Sequence, residues 1–287
     1  DVITAERGSG LISTLIQKIK KNHVCTDCQN YSTMLSLKKS IPNIKSSVEP
    51  FYNARIIKDE KEIRILKKAS KIIDEMFTIC SKKMQVGQKE SELQTILMTY
   101  AMEQGMFDTG YASTLNPLII AGGPNGALPH AQVSQRKFKK GDLVVTDLTL
   151  RYKGYVSDAT RTFALGKISS QANEAYEIVK ESQKLGLQSV KPNIDCKDVD
   201  FACRKYIEEK NYGKYFIHST GHGIGLEVHE FPTVSYRSDT KLKENMAITV
   251  EPGIYIENKF GIRIEDSLIV KDRPIIMHKF TKDLLTI

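Results

Sequence analysis

The chain has 287 residues, 40% of them hydrophobic, and a formal net charge of +8. This length and composition predict a globular protein with one large or two modest domains. No apolar run reaches the roughly 18 residues of a membrane span, and the stretch SGLISTLIQKIKK is too polar for a secretory signal. The lysine-rich runs QKIKKN, IRILKKASK and SQRKFKKGD are short and separated, which is typical of solvated faces. We therefore expect a cytoplasmic protein that binds neither membranes nor nucleic acid.

The five cysteines are an odd number, and their spacing is unlike that of a disulfide framework, so a reducing compartment is favoured. Cys25 and Cys28 form a single CxxC motif without a second one, and their role stays open. Cys80, Cys196 and Cys203 lie in helical patterns and are predicted to be structural.

The order of elements predicts an α+β fold with an internal pseudo-twofold. Residues 1–54 contain two short helical stretches and an apparently extended linker, IPNIKSSVEPFYNARIIKD, and form a short N-terminal accessory domain. From Lys58 two helices precede β-rich segments, and after Gly166 two helices again precede strands. Two halves of the same order indicate a duplicated unit, which makes residues 55–287 one domain.

Two acidic residues in the first half, Asp147 and Asp158, fall in a predicted β-hairpin, VVTDLTLRYKGYVSDATRTF. A turn centred between Tyr152 and Lys153 would place the two carboxylates directly opposite each other, with Cβ atoms about 5 Å apart. Such a pair repels unless a cation lies between its members. The alternatives are ion pairs with arginine, or carboxylates that simply face outward on half-exposed strands.

A second hairpin, ITVEPGIYIENKFGIRIEDSLIV, repeats this arrangement in the second half. Folding about Asn258 pairs Glu251 with Glu265, although Pro252 can interrupt the ladder. Arg161 and Arg263 are the nearby arginines that could pair with the acids of the two hairpins.

Three of the six histidines, at positions 218, 222 and 229, lie in the glycine-lined strip HSTGHGIGLEVHE. A lone histidine is usually a hydrogen-bonded core residue, but three beside two acid hairpins favour a metal site. Four carboxylates and one histidine form an oxygen-rich ligand set that suits Mn, Fe, Co or Zn.

The segments DLTLRYKGYVSDATRTF, STGHGIGLEVHEFP, EPGIYI and GIRIED resemble the pita-bread (creatinase-fold) metallopeptidases. Within that family they are most similar to Xaa-Pro dipeptidases (prolidases) and aminopeptidases P, and the resemblance runs from Ile57 to the end. It implies a homodimeric exopeptidase that hydrolyses Xaa-Pro bonds with a water bridging two divalent metal ions. Manganese is the first expectation, with cobalt, zinc or iron as alternatives, and the substrate is a peptide with proline at its second position.

The resemblance also implies a role for each site residue. The metal ligands fall on five residues: Asp147, Asp158, His222, Glu251 and Glu265. Glu251 would also move the proton from the attacking water to the leaving nitrogen. His130, in NGALPHA, and His229 would be catalytic by stabilising the reacting carbonyl oxygen. His218 would lie on the substrate side. Independently of the resemblance, Arg263 lies two residues before Glu265 and so on the same strand face, which gives it a site-ordering or substrate role, with a surface ion pair as the alternative.

This sequence departs from the family pattern at several points. Thr149 stands where glycine is commoner, and Thr233 stands where some dipeptidases carry an arginine that holds the substrate carboxylate. The N-terminal domain is also shorter than usual, so a preference for dipeptides or for longer peptides stays open.

Two alternatives remain, a methionine aminopeptidase-like enzyme and a non-catalytic pita-bread binding module. His218 argues against the first, and the presence of all five ligands argues against the second. GHGIG and AGGPNG lack the lysine and context of a phosphate loop, and no GxSxG motif supports a serine hydrolase.

Overall fold

The computed structural model describes residues 10–19, 24–110 and 118–287. The chain divides into two compact units, Asp1–Ala54 and Arg55–Ile287. Among the described residues, no helix is both long and apolar enough to cross a bilayer. The helices are α1 (Leu11–Lys18), α2 (Tyr31–Ser40), α3 (Glu49–Ile56), α4 (Glu60–Lys83), α5 (Glu90–Glu103), α6 (Ser170–Ser189) and α7 (Cys196–Glu209).

Thirteen strands accompany them in the described residues, with 3₁₀ helices at Gly123–Ala127 and Gly213–Tyr215. The strands are β1 (Cys25–Thr26), β2 (Lys45–Ser46), β3 (Met106–Phe107), β4 (Leu118–Gly122), β5 (Leu143–Tyr152), β6 (Tyr155–Ala164), β7 (Gly221–Gly223), β8 (Glu230–Val234), β9 (Ala247–Val250), β10 (Gly253–Ile256), β11 (Phe260–Arg263), β12 (Asp266–Ile269) and β13 (Ile275–Ile276).

The first unit contains α1, α2 and the short parallel pair β1 and β2. Leu37, Ile41 and Ile44 form its small buried core. The extended linker that we expected is wrong in part, because residues 49–56 form α3. The Ser47 hydroxyl accepts from the Glu49 amide at 3.3 Å, and Pro50 lies in the first turn, where a missing N–H leaves no helical bond unmade.

Each half of the second unit consists of one layer of helices packed on one layer of strands. Helices α4 and α5 pack on β4, β5 and β6 in the first half, and α6 and α7 pack on β9 to β12 in the second. Along the strands one face is apolar and contacts the helices, while alternate side chains point to the opposite face. In β5 the helix face carries Val144, Leu148 and Leu150, and Asp147 and Thr149 lie on the other.

The register of the β5–β6 hairpin differs from the prediction by two residues. Asp147 pairs with Thr160 and Thr149 pairs with Asp158, so the two aspartates are diagonal neighbours on one face and not directly opposed. The reason is the turn, which consists of Lys153 and Gly154 with φ angles of 47° and 90°. A two-residue turn of this kind needs positive φ at both positions and favours glycine.

The register of the second hairpin is confirmed. Gly253 pairs with Arg263 in the β10–β11 ladder, and Val250 pairs with Asp266 in the β9–β12 ladder. Between these two ladders Pro252 interrupts the pairing, as its missing N–H requires. Glu251 and Glu265 therefore occupy the gap between the two ladders.

The two halves join where β6 meets residues 263–267. The Glu265 amide donates to the Thr160 carbonyl at 3.1 Å, and the Ser267 hydroxyl donates to the Asp158 carbonyl at 2.7 Å. These bonds bring the first hairpin beside the second.

Gly261 on β11 is a point of close backbone approach, because a Cβ there would lie 1.8 Å from the carbonyl oxygen of Gly126. We predict that Gly261→Ala lowers the free energy of unfolding by about 2 kcal/mol or more, since backbone cannot yield as a side chain can. Urea unfolding would measure it. Gly213→Ala is the control, because its methyl would first meet the flexible Glu208 side chain; equal losses in both variants would contradict the prediction.

Candidate metal centre and active site

A buried histidine and two buried carboxylates meet at the junction of the two halves. Donor atoms of Asp158, His222 and Glu265 all lie within 4.8 Å of one another. His222 Nε2 is 3.7 Å from a carboxylate oxygen of Asp158 and 3.3 Å from one of Glu251. Residues from β6, β7, the segment after β9 and the segment before β12 therefore converge on one point.

Asp147 lies on the β5 face that points to this centre, but its carboxylate forms an ion pair with an arginine. Arg263 donates to its carboxylate at 2.5 Å, and the Thr149 hydroxyl lies 3.0 Å from it. The same hydroxyl is 2.6 Å from Asp158, so Thr149 bridges the two aspartates. The alternative of an ion pair with Arg263 is thus realised for Asp147, whereas Arg161 pairs with Asp266.

The carboxylates at this point are electrostatically strained. Burial, followed by the charge of Asp147, raises the pKa of Asp158 well above its usual range. Burial, followed by the charge of Asp158, does the same to the pKa of Glu265. Burial would also raise the pKa of Glu251, but its hydrogen bond with His222 lowers it to about 2. Mutual repulsion of this kind is what a divalent cation relieves, so the site fits a metal.

The His222 ring is oriented for metal binding. Its Nδ1 lies 3.0 Å from the Gly223 carbonyl oxygen and donates to it, which leaves Nε2 facing the carboxylates. A backbone acceptor for the other ring nitrogen is the usual arrangement of a metal-binding histidine. One imidazole among carboxylates suits Mn, Fe, Co or Zn.

The glycines around His222 allow two backbones to touch. A Cβ on Gly221 would lie 2.1 Å from the Thr249 carbonyl oxygen, so no other residue fits there. The Thr249 hydroxyl accepts from the His222 amide at 3.1 Å and donates to Glu251 at 3.2 Å. Close approach of β7 and β9 therefore couples the histidine to the glutamate.

The remaining histidines surround this centre. The His229 ring lies 4.2 Å from the His222 ring, centroid to centroid, and burial followed by His222 lowers the pKa of His229 to about 4. His130 is an exposed residue on the loop after the first 3₁₀ helix. It is also a source of the lowered pKa values of His218 and His229, after burial as the largest cause. The loop is tied to the site by the Pro129 carbonyl, which accepts from Arg263 at 3.0 Å.

Tyr255 is a site residue that sequence reasoning missed. Its hydroxyl accepts from Arg263 at 2.8 Å and lies 3.0 Å from His218 Nε2. Because His218 Nδ1 lies 2.7 Å from the Ser219 carbonyl and donates to it, Nε2 is the acceptor of the Tyr255 hydroxyl proton. The signal was available, since Tyr255 has the same strand parity as Glu251 in EPGIYI.

Glu230 is a second residue that was missed. Its carboxylate accepts from Lys58 at 2.9 Å, from Arg55 at 2.5 Å and from the Leu226 amide at 2.7 Å. These contacts, which we call the Glu230 cluster, close the loop that carries His229. Its two charged partners, Arg55 and Lys58, lie more than 170 residues away in sequence, so no local signal indicates them.

The sequence of this chain matches a known family of metallopeptidases. The model of metallopeptidase family M24 matches residues 64–272, and the chain belongs to that family. An Xaa-Pro dipeptidase of Pyrococcus horikoshii is 42% identical over 240 residues, which are 82% of this chain and 66% of that protein. An Xaa-Pro dipeptidase of Pyrococcus furiosus is 39% identical, with 82% and 66% covered. The matched region thus spans just under two thirds of these relatives.

Solved structures show the same fold. An Xaa-Pro dipeptidase from Bacillus anthracis superposes with a TM-score of 0.91 at 36% identity, covering 98% of this chain and 80% of that one. An X-Pro aminopeptidase from Thermotoga maritima gives 0.87 at 31% identity, with 98% and 81% covered. The α+β pita-bread fold predicted from the sequence is confirmed.

The Glu230 cluster generates a prediction about stability. Burial would raise the pKa of Glu230, but Lys58 and Arg55 lower it. Glu230 therefore stabilises the fold above its ordinary pKa of 4.5, and the contribution is lost as the pH falls through the lowered value. We predict that Glu230→Gln costs about 3 kcal/mol at neutral pH, because Lys58 is left buried and unpaired, and less in acid.

Urea unfolding at several pH values measures this loss. Glu227→Gln is the matched control, because its carboxylate also contacts Arg55, at 3.0 Å, but its side chain is 60% exposed. A loss that is the same in both variants, or that does not shrink in acid, would refute the prediction.

Proposed function

We propose that this protein is a dimetal-dependent exopeptidase that hydrolyses Xaa-Pro peptide bonds. The observation that carries the proposal is the buried convergence of Asp158, His222 and Glu265 within 4.8 Å, with Asp147 and Glu251 beside it. The similarity to Xaa-Pro dipeptidases and to an X-Pro aminopeptidase supports the substrate class.

The five side chains named as ligands would hold the metal ions: Asp147, Asp158, His222, Glu251 and Glu265. Bound divalent cations would supply Lewis acidity, which activates a water molecule and polarises the scissile carbonyl. Thr149 and Thr160 hold the ligand oxygens in place, since the Thr149 hydroxyl lies 2.6 Å from Asp158 and the Thr160 hydroxyl donates to Glu265 at 2.7 Å.

Glu251 is the proposed proton carrier. A glutamate carboxylate in this position can accept a proton from water and pass it to the proline nitrogen. The Thr249 hydroxyl donates to its Oε1 at 3.2 Å and so orients the carboxylate.

His229 and His130 are the proposed donors to the reacting carbonyl oxygen. With a pKa of about 4, His229 is a neutral imidazole at neutral pH and can donate one hydrogen bond without adding charge. Arg263 and His218 would act on the substrate side mainly by ordering the site, because Arg263 already donates to Asp147 and Tyr255 and both His218 nitrogens are bonded within the protein.

The finer predictions rest on the family resemblance. We propose two ions, with manganese first and cobalt, zinc or iron as alternatives, a homodimer, and a cytoplasmic location. Residues 1–54 are proposed to be an accessory domain of the catalytic unit. Methionine aminopeptidase-like activity and a non-catalytic binding role remain outcomes of the tests below.

We predict that Asp158→Asn removes metal-supported turnover, lowering kcat/KM by more than about 100-fold, because a direct ligand matters at least as much as its outer partners. Metal content and peptidase rate check this together. Asp142→Asn is the control, since Asp142 is also a buried carboxylate, paired with Arg136 at 2.7 Å outside the site. An Asp158→Asn protein with wild-type rate and metal content would refute the site.

A substrate panel separates the functional classes. The manganese-, cobalt- or zinc-loaded protein is expected to cleave Xaa-Pro dipeptides or Xaa-Pro tripeptides, and release of the N-terminal residue measures the rate. Cleavage of Met-Ala peptides alone would identify a methionine aminopeptidase-like enzyme. No cleavage with any of the three metals would favour a binding module.

A further inference from the structure

A buried charged cluster lies directly behind the two glutamates. The Asp266 carboxylate, which has no exposed surface, accepts from Arg161 at 2.8 Å and from Gln183 at 3.1 Å and pairs with Lys282 at 2.5 Å. Lys282 also donates to the Gln183 side chain at 2.9 Å. Gln183 makes a longer contact, 3.5 Å, to the Val250 carbonyl. We call these four side chains, at positions 161, 183, 266 and 282, the Asp266 cluster.

The cluster touches both strands next to the glutamates. Asp266 pairs with Val250 in the β9–β12 ladder, so the next residue on each strand is Glu265 or Glu251. Arg161 donates to the Glu265 carbonyl at 2.6 Å. The backbone beside each glutamate is thus contacted by a member of the Asp266 cluster, at the Glu265 carbonyl by Arg161 and at the Val250 carbonyl by Gln183.

The C-terminal tail, residues 278–287, supplies the outer part of this cluster. Arg161 donates to the carbonyls of Phe280 and Thr281, each at 3.0 Å. Lys282 follows immediately, and its side chain, 26% exposed, is the most accessible of the four in the Asp266 cluster. The tail therefore closes the cluster with a positive charge.

On the basis of the metal site proposed above, we propose that Lys282 is a positioning residue for that site. By pairing with Asp266, the tail ammonium holds the backbone of Glu251 and Glu265 and thereby sets the affinity for divalent cations. None of the four side chains of the Asp266 cluster is itself a proposed ligand.

The sign of the effect separates positioning from simple electrostatics. Loss of the positive charge at Lys282 would strengthen cation binding if only Coulomb energy mattered, because a repulsive charge disappears. Loss of positioning weakens binding instead, and outer partners of metal ligands typically contribute about 10-fold or more in affinity.

The test is calorimetric titration of the chelator-treated protein with MnCl₂. We expect Lys282→Met to raise the Mn²⁺ dissociation constant about 10-fold or more, and Lys282→Arg, which keeps charge and donors, to recover most of the affinity. Lys180→Met is the matched control, because Lys180 pairs with Asp283 of the same tail at 2.7 Å. It removes the same charge and a tail contact but no contact to Asp266.

Each result has one meaning. A raised constant in Lys282→Met alone, with thermal unfolding midpoints alike in both methionine variants, supports the proposal. An unchanged or lowered constant, or an equal rise in Lys180→Met, overturns it. If Lys282→Met does not fold, Lys282→Gln is judged by the same criteria. Failure of the proposed function gives a different result: the wild-type protein would not bind Mn²⁺, or Asp158→Asn would bind it as tightly as the wild type. The proposed role of Lys282 would then be wrong as well.

Discussion

The structure depends on one constraint, which is that four carboxylates must be held together in the interior although they repel one another. Burial and the neighbouring acids raise the pKa values of Asp158 and Glu265, so the site needs compensating positive charge. Arg263 supplies part of it by pairing with Asp147. Threonine hydroxyls contact the other three acids: Thr149 contacts Asp158, Thr160 donates to Glu265 and Thr249 donates to Glu251. Backbone ladders fix the acids against this repulsion: Asp147 and Asp158 lie within the β5–β6 ladder, and Glu251 and Glu265 lie between the β9–β12 and β10–β11 ladders.

The two faces of the strands have different roles. The side chains of one face pack against a helical pair in each half, and the acids occupy the other face. None of the five proposed ligands lies on a helix. The helices therefore stabilise the sheets from outside, and the glycine strip lets β7 approach β9 closely enough for Thr249 to contact both His222 and Glu251. Rigid strands and close backbone packing together give the site its geometry.

The sequence predicted a large part of this arrangement. The α+β class and the second acidic hairpin are confirmed, because strand periodicity and the turn at Asn258 are local properties. The first hairpin is displaced by two residues, since a turn of Lys153 and Gly154 with positive φ was favoured over the expected position. Contributions such as that of Glu230, whose charged partners Arg55 and Lys58 are more than 170 residues distant, leave no local pattern.

What the sequence by itself determined is the set of chemical groups and the strand face that each occupies, because side-chain direction alternates with a period of two. What only the tertiary structure decided is that β6 meets residues 263–267, through the bonds from Glu265 to Thr160 and from Ser267 to Asp158. The position of Lys282 behind the glutamates was decided in the same way. The bonds between β6 and residues 263–267 join segments about 100 residues apart, and their formation depends on the packing of the whole core and on loop closure.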